Sequence, residues 1–178
     1  AKAKVIKRDK SARPVGTLKC KALIKTTDTI IAIGASTGGT EALSDVLRAL
    51  PRNMPPIIIT QHMPPKFTTT FAKRLDDISQ ISVKEAQDGD SVMPGHALLA
   101  PGEFHMELVR CGAKYSVKVQ SEERVNLHRP SVDVMFDSVA RVAGSNSIGM
   151  ILTGMGNDGA KSMKKMFDAG SFNFAQNE

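Results

Sequence analysis

Tryptophan is absent from the 178 residues, tyrosine occurs once and phenylalanine seven times. So few aromatic faces weaken any reading in which the protein stacks nucleobases or sugars. Cysteine is scarce as well. Cys20 and Cys111 are too few for a disulfide framework, and neither stands in a Cys-x-x-Cys spacing. They read as free thiols of a reducing compartment. No apolar run approaches the roughly 18 residues that span a bilayer. The basic N-terminus lacks the apolar stretch and small-residue cleavage site of a secretory signal. There is no His-Glu-x-x-His, and His96, His105 and His128 show no metal-ligand spacing. These three read as surface or packing histidines, and no metal site is expected.

What is present is ordinary for a globular chain: 41% hydrophobic and 24% charged residues. The length suits one domain, or one domain plus a tail. A chain near 150 residues buries about 68–70% of its unfolded surface, enough for a self-sufficient core. The net charge of +6 suggests nucleic acid until it is located. Residues 1–25 carry nine of the 24 basic residues and one of the 18 acidic ones, so the remainder is slightly acidic. A basic arm can bind phosphates. Without apolar periodicity or aromatics, this one reads as a solvated linker, and no nucleic-acid partner is expected.

From residue 29 the pattern changes. Thr29–Ile33 and Ile57–Thr60 are short continuous apolar runs, the mark of strands buried on both faces. Each leads through a loop to a helical pattern, over 41–50 and about 66–78, the second with Phe67, Phe71, Leu75 and Ile78 in helical spacing. A third helix is expected over about 131–143. A further buried strand follows over 148–153, then a helix over about 159–168 capped by Gly170 and a last strand over 172–175. Between 83 and 119 lie short runs separated by Asp88-Gly89-Asp90, Pro94-Gly95, Pro101-Gly102 and Cys111-Gly112-Ala113-Lys114. These predict hairpins, an antiparallel region near residues 95–120. The whole is the grammar of an α/β fold: a doubly wound, mainly parallel sheet flanked by helices. If 172–175 is a central strand, something must cover its far side.

Open parallel sheets place their sites at the carboxyl ends of strands. Three such ends carry Ser36, His62 and Asp158, a nucleophile, a base and a carboxylate. A serine hydroxyl attacks poorly until an imidazole takes its proton, and a carboxylate must hold that imidazole in the right tautomer. The competing readings are mundane. Ser36 suits a loop or the N-cap of the next helix, His62 a packed loop histidine, and Asp158 an N-cap. Gly34–Gly39 also resembles a phosphate cradle, but Thr40 stands where a P-loop has lysine, and Ser36 occupies the middle glycine of the dinucleotide fingerprint. A nucleotide-binding α/β module therefore remains as an alternative, as does a non-catalytic receptor-binding domain. Met155 lies in a glycine-flanked loop where its backbone N–H has access to the same site.

Three segments carry a more specific signal: Ile33–Glu41, Gln61–Pro64 and Leu152–Ala160, with Ala100-Pro101-Gly102 and Arg129–Asp133 between them. Over about residues 29–178 they resemble the catalytic domain of the bacterial chemotaxis protein-glutamate methylesterases. The resemblance implies hydrolysis of glutamyl methyl esters on the cytoplasmic helices of methylated chemoreceptors, and in some members deamidation of receptor glutamines. It puts the catalytic nucleophile at Ser36, its histidine at His62 and its aspartate at Asp158. Met155 would be an oxyanion donor, and Thr37 is expected to support it. It further implies a cytoplasmic enzyme without metal or organic cofactor, and without insertion into the membrane. Residues 1–28 would be the linker from an N-terminal response-regulator domain. The family's catalytic domains continue beyond the Ala175–Glu178 segment with another strand and helix, so residues 29–178 would lack that C-terminal part.

Overall fold

A computed structural model describes residues 4–7, 29–112 and 114–177. In chain order its elements are β1 (Lys4–Lys7), β2 (Ile30–Ala35), α1 (Gly39–Ala49), β3 (Ile57–Gln61), α2 (Phe67–Ile78), β4 (Ser82–Glu85), β5 (His96–Leu99), β6 (His105–Cys111), β7 (Lys114–Gln120), α3 (Val132–Val142), β8 (Ser147–Ile151), α4 (Ala160–Asp168) and β9 (Phe172–Asn177). Seven strands form one sheet in the order β1-β9-β8-β2-β3-β5-β4, every pair parallel. The remaining two, β6 and β7, form a separate antiparallel hairpin.

The continuous apolar runs explain the doubly wound form. Every residue of β2 and β3 is buried. Because side chains alternate across a strand, Ile30, Ala32, Ile58 and Leu98 face one core, with α3, α4 and the hairpin. Ile31, Ile33, Ile57, Ile59 and Leu99 face a second core, with α1 and α2. The helices close these cores with single stripes: Leu43 and Leu47 from α1, Phe71 and Leu75 from α2, and Met135, Phe136 and Val139 from α3.

The hairpin region is narrower than expected. Among the described residues His105–Gln120 holds the one antiparallel pair of strands, joined by a single antiparallel bridge from Ser91 to Ser116; β4 and β5 pair in parallel with each other, and β5 with β3. The turn signals at Asp88–Asp90 and Pro94-Gly95 belong to a helix-free crossover. Its backbone groups are taken up by β7: Gly89 N–H donates to Val117 O at 2.9 Å and Val92 N–H to Tyr115 O at 3.0 Å. With its polar groups satisfied there, the link returns the chain to the same end of the sheet. Ala97, Leu98 and Leu99 are buried on both faces, as a parallel strand requires.

Most of the basic segment read as a linker, residues 1–3 and 8–28, lies outside the described residues. Lys4–Lys7 pairs along β9 on the side away from β8.

Candidate active site

The strand order decides which loops meet. β8, β2 and β3 are neighbours, so the loops at their carboxyl ends share one rim of the sheet. The chain passes from β2 to β3 on one side, while β8 lies on the other. This is the topological switch point at which open α/β sheets build their sites. Ser36 follows β2, His62 follows β3, and Met155 and Asp158 follow β8.

The β2–α1 loop is held from three directions. Ser36 N–H donates to Thr153 O at 3.0 Å, while Ser36 O accepts from Gly39 N–H at 2.8 Å and from Gln61 Nε2 at 2.9 Å. Gly38, with φ +77°, turns the chain into α1 as its N-cap. Ser36 is therefore not the side-chain cap of that helix. Gly154 permits the closest approach, because a Cβ there would lie 2.8 Å from Ser36 Cβ. The same packing closes the suspected phosphate cradle. A Cβ on Gly39 would fall 2.2 Å from Gln61 Oε1, so the loop is filled from beneath by a glutamine.

Ser36, His62 and Asp158 form one hydrogen-bonded chain. His62 Nδ1 lies 3.0 Å from Ser36 Oγ, and His62 Nε2 lies 2.8 Å from Asp158 Oδ2. An ionised carboxylate only accepts, so Nε2 carries the ring proton and the Nδ1 lone pair faces the serine hydroxyl. The side chains of His62 and Asp158 are 11% and 3% exposed. At this depth a hydrogen bond is stronger than in water, and an unpaired charge is costly.

Asp158 is not left unpaired. It is not the cap of its own helix either, since Gly159 holds that place in α4. Instead it caps α3 from across the sheet. Oδ2 accepts from Val132 N–H at 2.7 Å, and Oδ1 from Ser131 Oγ at 2.8 Å, Asp133 N–H at 3.3 Å and Asn126 Nδ2 at 2.7 Å. The N-terminus of a helix favours negative charge at this spot. Burial alone would raise the carboxyl pKa. The hydrogen bonds from His62, Asn126, Ser131 and Val132 outweigh it and hold the group far below the usual carboxylate range.

A cleft of about 70 Å³ opens over this chain, lined by Ser36, His62, Thr153, Gly154, Met155 and Asp158 among others. It has room for one small carbonyl group beside the hydroxyl. The Met155 side chain stands 80% exposed at its edge. Among the described residues none accepts a hydrogen bond from the backbone N–H of Thr37 or Met155. A larger groove of about 300 Å³, lined by Ala42, Val46, Met150, Leu152 and Phe174 with Asp45 and Gln176, is mostly apolar and holds neither Ser36 nor His62.

The other histidines separate. His105 is buried, with Nε2 against Glu123 O and Nδ1 accepting from Ser131 N–H. His96 lies on the surface against Pro94 O. His128, read from the sequence as a surface or packing histidine, lies against the site. Its ring stacks on that of His62, with centroids 3.7 Å apart and planes 6° from parallel. Asn126 went unnoticed in the sequence. Neither residue ends a strand or sits in a motif, so no periodicity or spacing marks them. Among the described residues no group of three or more His, Cys, Asp or Glu is placed to hold a metal ion.

Comparison with known proteins agrees with the fold. The family described as CheB methylesterase matches residues 31–178. A protein-glutamate methylesterase/protein-glutamine glutaminase of Salmonella typhimurium is 56% identical over all 178 residues, and one of Pectobacterium atrosepticum is 53% identical over the same length. The Escherichia coli relative is 58% identical over 162 residues, 91% of this chain. The chain spans about half the length of these curated relatives, 50%, 51% and 46% respectively. The crystal structure of the Thermotoga maritima CheB methylesterase catalytic domain superposes with a TM-score of 0.80 at 42% identity. The match covers 83% of this chain and 78% of that one.

Proposed function

The chain belongs to the CheB methylesterase family, and from that premise we propose that it is a serine hydrolase that removes methyl esters from glutamyl side chains of chemotaxis receptors. The observation that carries this reading is the unbroken chain from Ser36 Oγ through the His62 ring to Asp158. Ser36 Oγ attacks the ester carbonyl while its proton passes to His62 Nδ1. Asp158 holds the Nε2–H tautomer and balances the imidazolium that forms. The free N–H groups of Met155 and Thr37 are the candidates to receive the oxyanion; losing one such donor typically costs about 10²–10³ in turnover. The C–O bond to methanol then breaks, and methanol leaves with the proton from Nδ1. Water enters, gives a proton to Nδ1 and cleaves the acyl-enzyme. The glutamate carboxylate is released and Ser36 regains its hydrogen.

The same steps serve a glutamine side chain, with ammonia leaving in place of methanol, as the names of the relatives suggest. The partners in this reading are the methylated cytoplasmic helices of receptors and an N-terminal response-regulator domain, consistent with relatives twice as long. The setting is the cytoplasm. Among the described residues no helix is long and apolar enough to cross a membrane. The nucleotide-binding alternative has little support, because Gln61 fills the loop it would need.

The test is methanol release from membranes bearing methylated receptors, by the chain and by Ser36→Ala. Release that falls at least 10³-fold in the variant, with cooperative melting retained, is the expected result. An undiminished rate in Ser36→Ala moves the nucleophile elsewhere.

A further inference from the structure

Residues 125–128 form a two-residue turn. Val125 N–H donates to His128 O at 3.1 Å and His128 N–H to Val125 O at 2.9 Å, closing the pair around Asn126 and Leu127. Both central residues have positive φ, 52° and 67°. Such a turn ordinarily carries glycine at its second position, and a leucine there is strained. Leu127 gains nothing from packing, since it is 86% exposed. Strain kept without local compensation points to what the turn holds in place.

It holds two side chains against the reactive ones. Asn126 Nδ2 donates to Asp158 Oδ1 and to Asp133 Oδ2, each at 2.7 Å. His128 lies flat on His62. The base of the turn is pinned on both sides, because Arg124 and Arg129 each meet the Glu103 carboxylate at 2.6 Å. His62 is gripped in its own plane by Ser36 and Asp158, but neither contact stops the ring from rocking out of that plane. The stacked ring does. Burial, then the neighbouring His62, lower the His128 pKa. A neutral ring can face an imidazolium without repelling it.

We propose that the Val125–His128 turn is a clamp on the proton relay, with His128 a positioning residue that fixes the plane of the His62 ring and Asn126 one that fixes the Asp158 carboxylate. The inference rests on the reading of Ser36 as an activated nucleophile, but not on which ester is the natural substrate.

The experiment therefore uses a fluorophosphonate. Ser36 Oγ forms a bond to phosphorus, fluoride leaves, and the hydroxyl proton goes to His62. The rate of labelling is followed by intact mass for the chain, His128→Ala, His128→Gln and His128→Phe, with Ser36→Ala as the site control. His128→Ala and His128→Gln are expected to lower the limiting labelling rate by roughly 10- to 100-fold, the scale of a small misplacement near the chemistry. The half-saturating concentration should stay within about twofold. His128→Phe keeps a flat face without a proton to exchange and should restore the rate to within about threefold. If His128→Ala does not melt cooperatively, His128→Gln against His128→Phe makes the same comparison. Parent-like labelling in the folded variants without a ring overturns the proposal, and so does a phenylalanine as slow as glutamine. A chain that labels but releases no methanol refutes the substrate reading and leaves the clamp judged by its variants. A chain that does not label at all overturns the relay and the clamp together.

Discussion

Asp158→Asn separates the two jobs of the carboxylate, which caps α3 and supports His62. On the Oδ2 side it faces two N–H donors, from His62 and Val132. On the Oδ1 side it faces the Ser131 hydroxyl, Asn126 Nδ2 and a longer contact from Asp133 N–H. An asparagine would turn its oxygen toward His62 and Val132 and its amide nitrogen toward Ser131, whose hydroxyl can rotate to accept. The tautomer of His62 would survive, while the contacts to Asn126 and Asp133 would be lost. Two hydrogen bonds weakened and two lost predict a stability cost of about 2–4 kcal/mol.

The catalytic cost has a different origin. Taking the Ser36 proton makes His62 an imidazolium, with its positive charge centred roughly 4 Å from the carboxylate. At an effective dielectric near 20 this attraction is worth about 4 kcal/mol. That predicts a fall in kcat/KM of about 10³-fold. The two losses also respond differently to pH. The folded-state pKa of Asp158 is depressed below the ordinary aspartate value of 3.8. Its contribution to stability is therefore complete above that value and is lost as pH falls through the folded pKa. The gap in Tm between parent and Asp158→Asn should be widest at neutral pH and shrink below about pH 4. Ester hydrolysis with kcat and KM resolved, together with thermal melts from pH 7 to pH 2, measures both. A kcat/KM within tenfold of the parent alongside a lowered Tm would refute the relay and leave Asp158 as a helix cap.

The parts of this molecule that were legible in the sequence were those written in runs. β2 and β3 are continuous apolar segments because they are buried on both faces, β8 is an apolar run that is only partly buried, and the residues just past all three fall on one rim. Ser36, His62 and Asp158 could therefore be grouped before any distance was known. Their order in space, set by β8-β2-β3 adjacency, does not follow from the runs themselves. The crossover between β4 and β5 was misread because Gly89 and Gly95 mark a turn without saying what it pairs with, and here it pairs with β7. The sense of the His62 ring was also hidden. Residue type gives a base but not which nitrogen faces which partner; that depends on Asp158 being anchored at the start of α3. Asn126 and His128 reach the site only because a strained turn brings them there, and strain leaves no pattern in composition or spacing.

Two further substitutions test the packing that joins fold to site. Gly154→Ala would set a methyl 2.8 Å from Ser36 Cβ; hydrolysis should fall more than about tenfold with little change in Tm, and a parent-like rate would show that the β8 loop yields freely. Gly34→Ala reaches the site through the core. Its Cβ would lie 2.3 Å from Val132 Cγ1, and Val132 is the first residue of α3, whose N–H holds Asp158. Moving Val132 aside should cost about 1–3 kcal/mol of stability and loosen the carboxylate, so activity falls with it. Val132→Ala removes both methyl groups that collide. Combined with Gly34→Ala it moves volume from one side of the contact to the other, and the double variant should be more stable than the two separate losses imply, by about 1 kcal/mol or more. Activity should recover in step, because the helix N-terminus returns to Asp158. Additive losses in denaturant melts of the four proteins would show that the contact between Gly34 and Val132 does not set the position of α3.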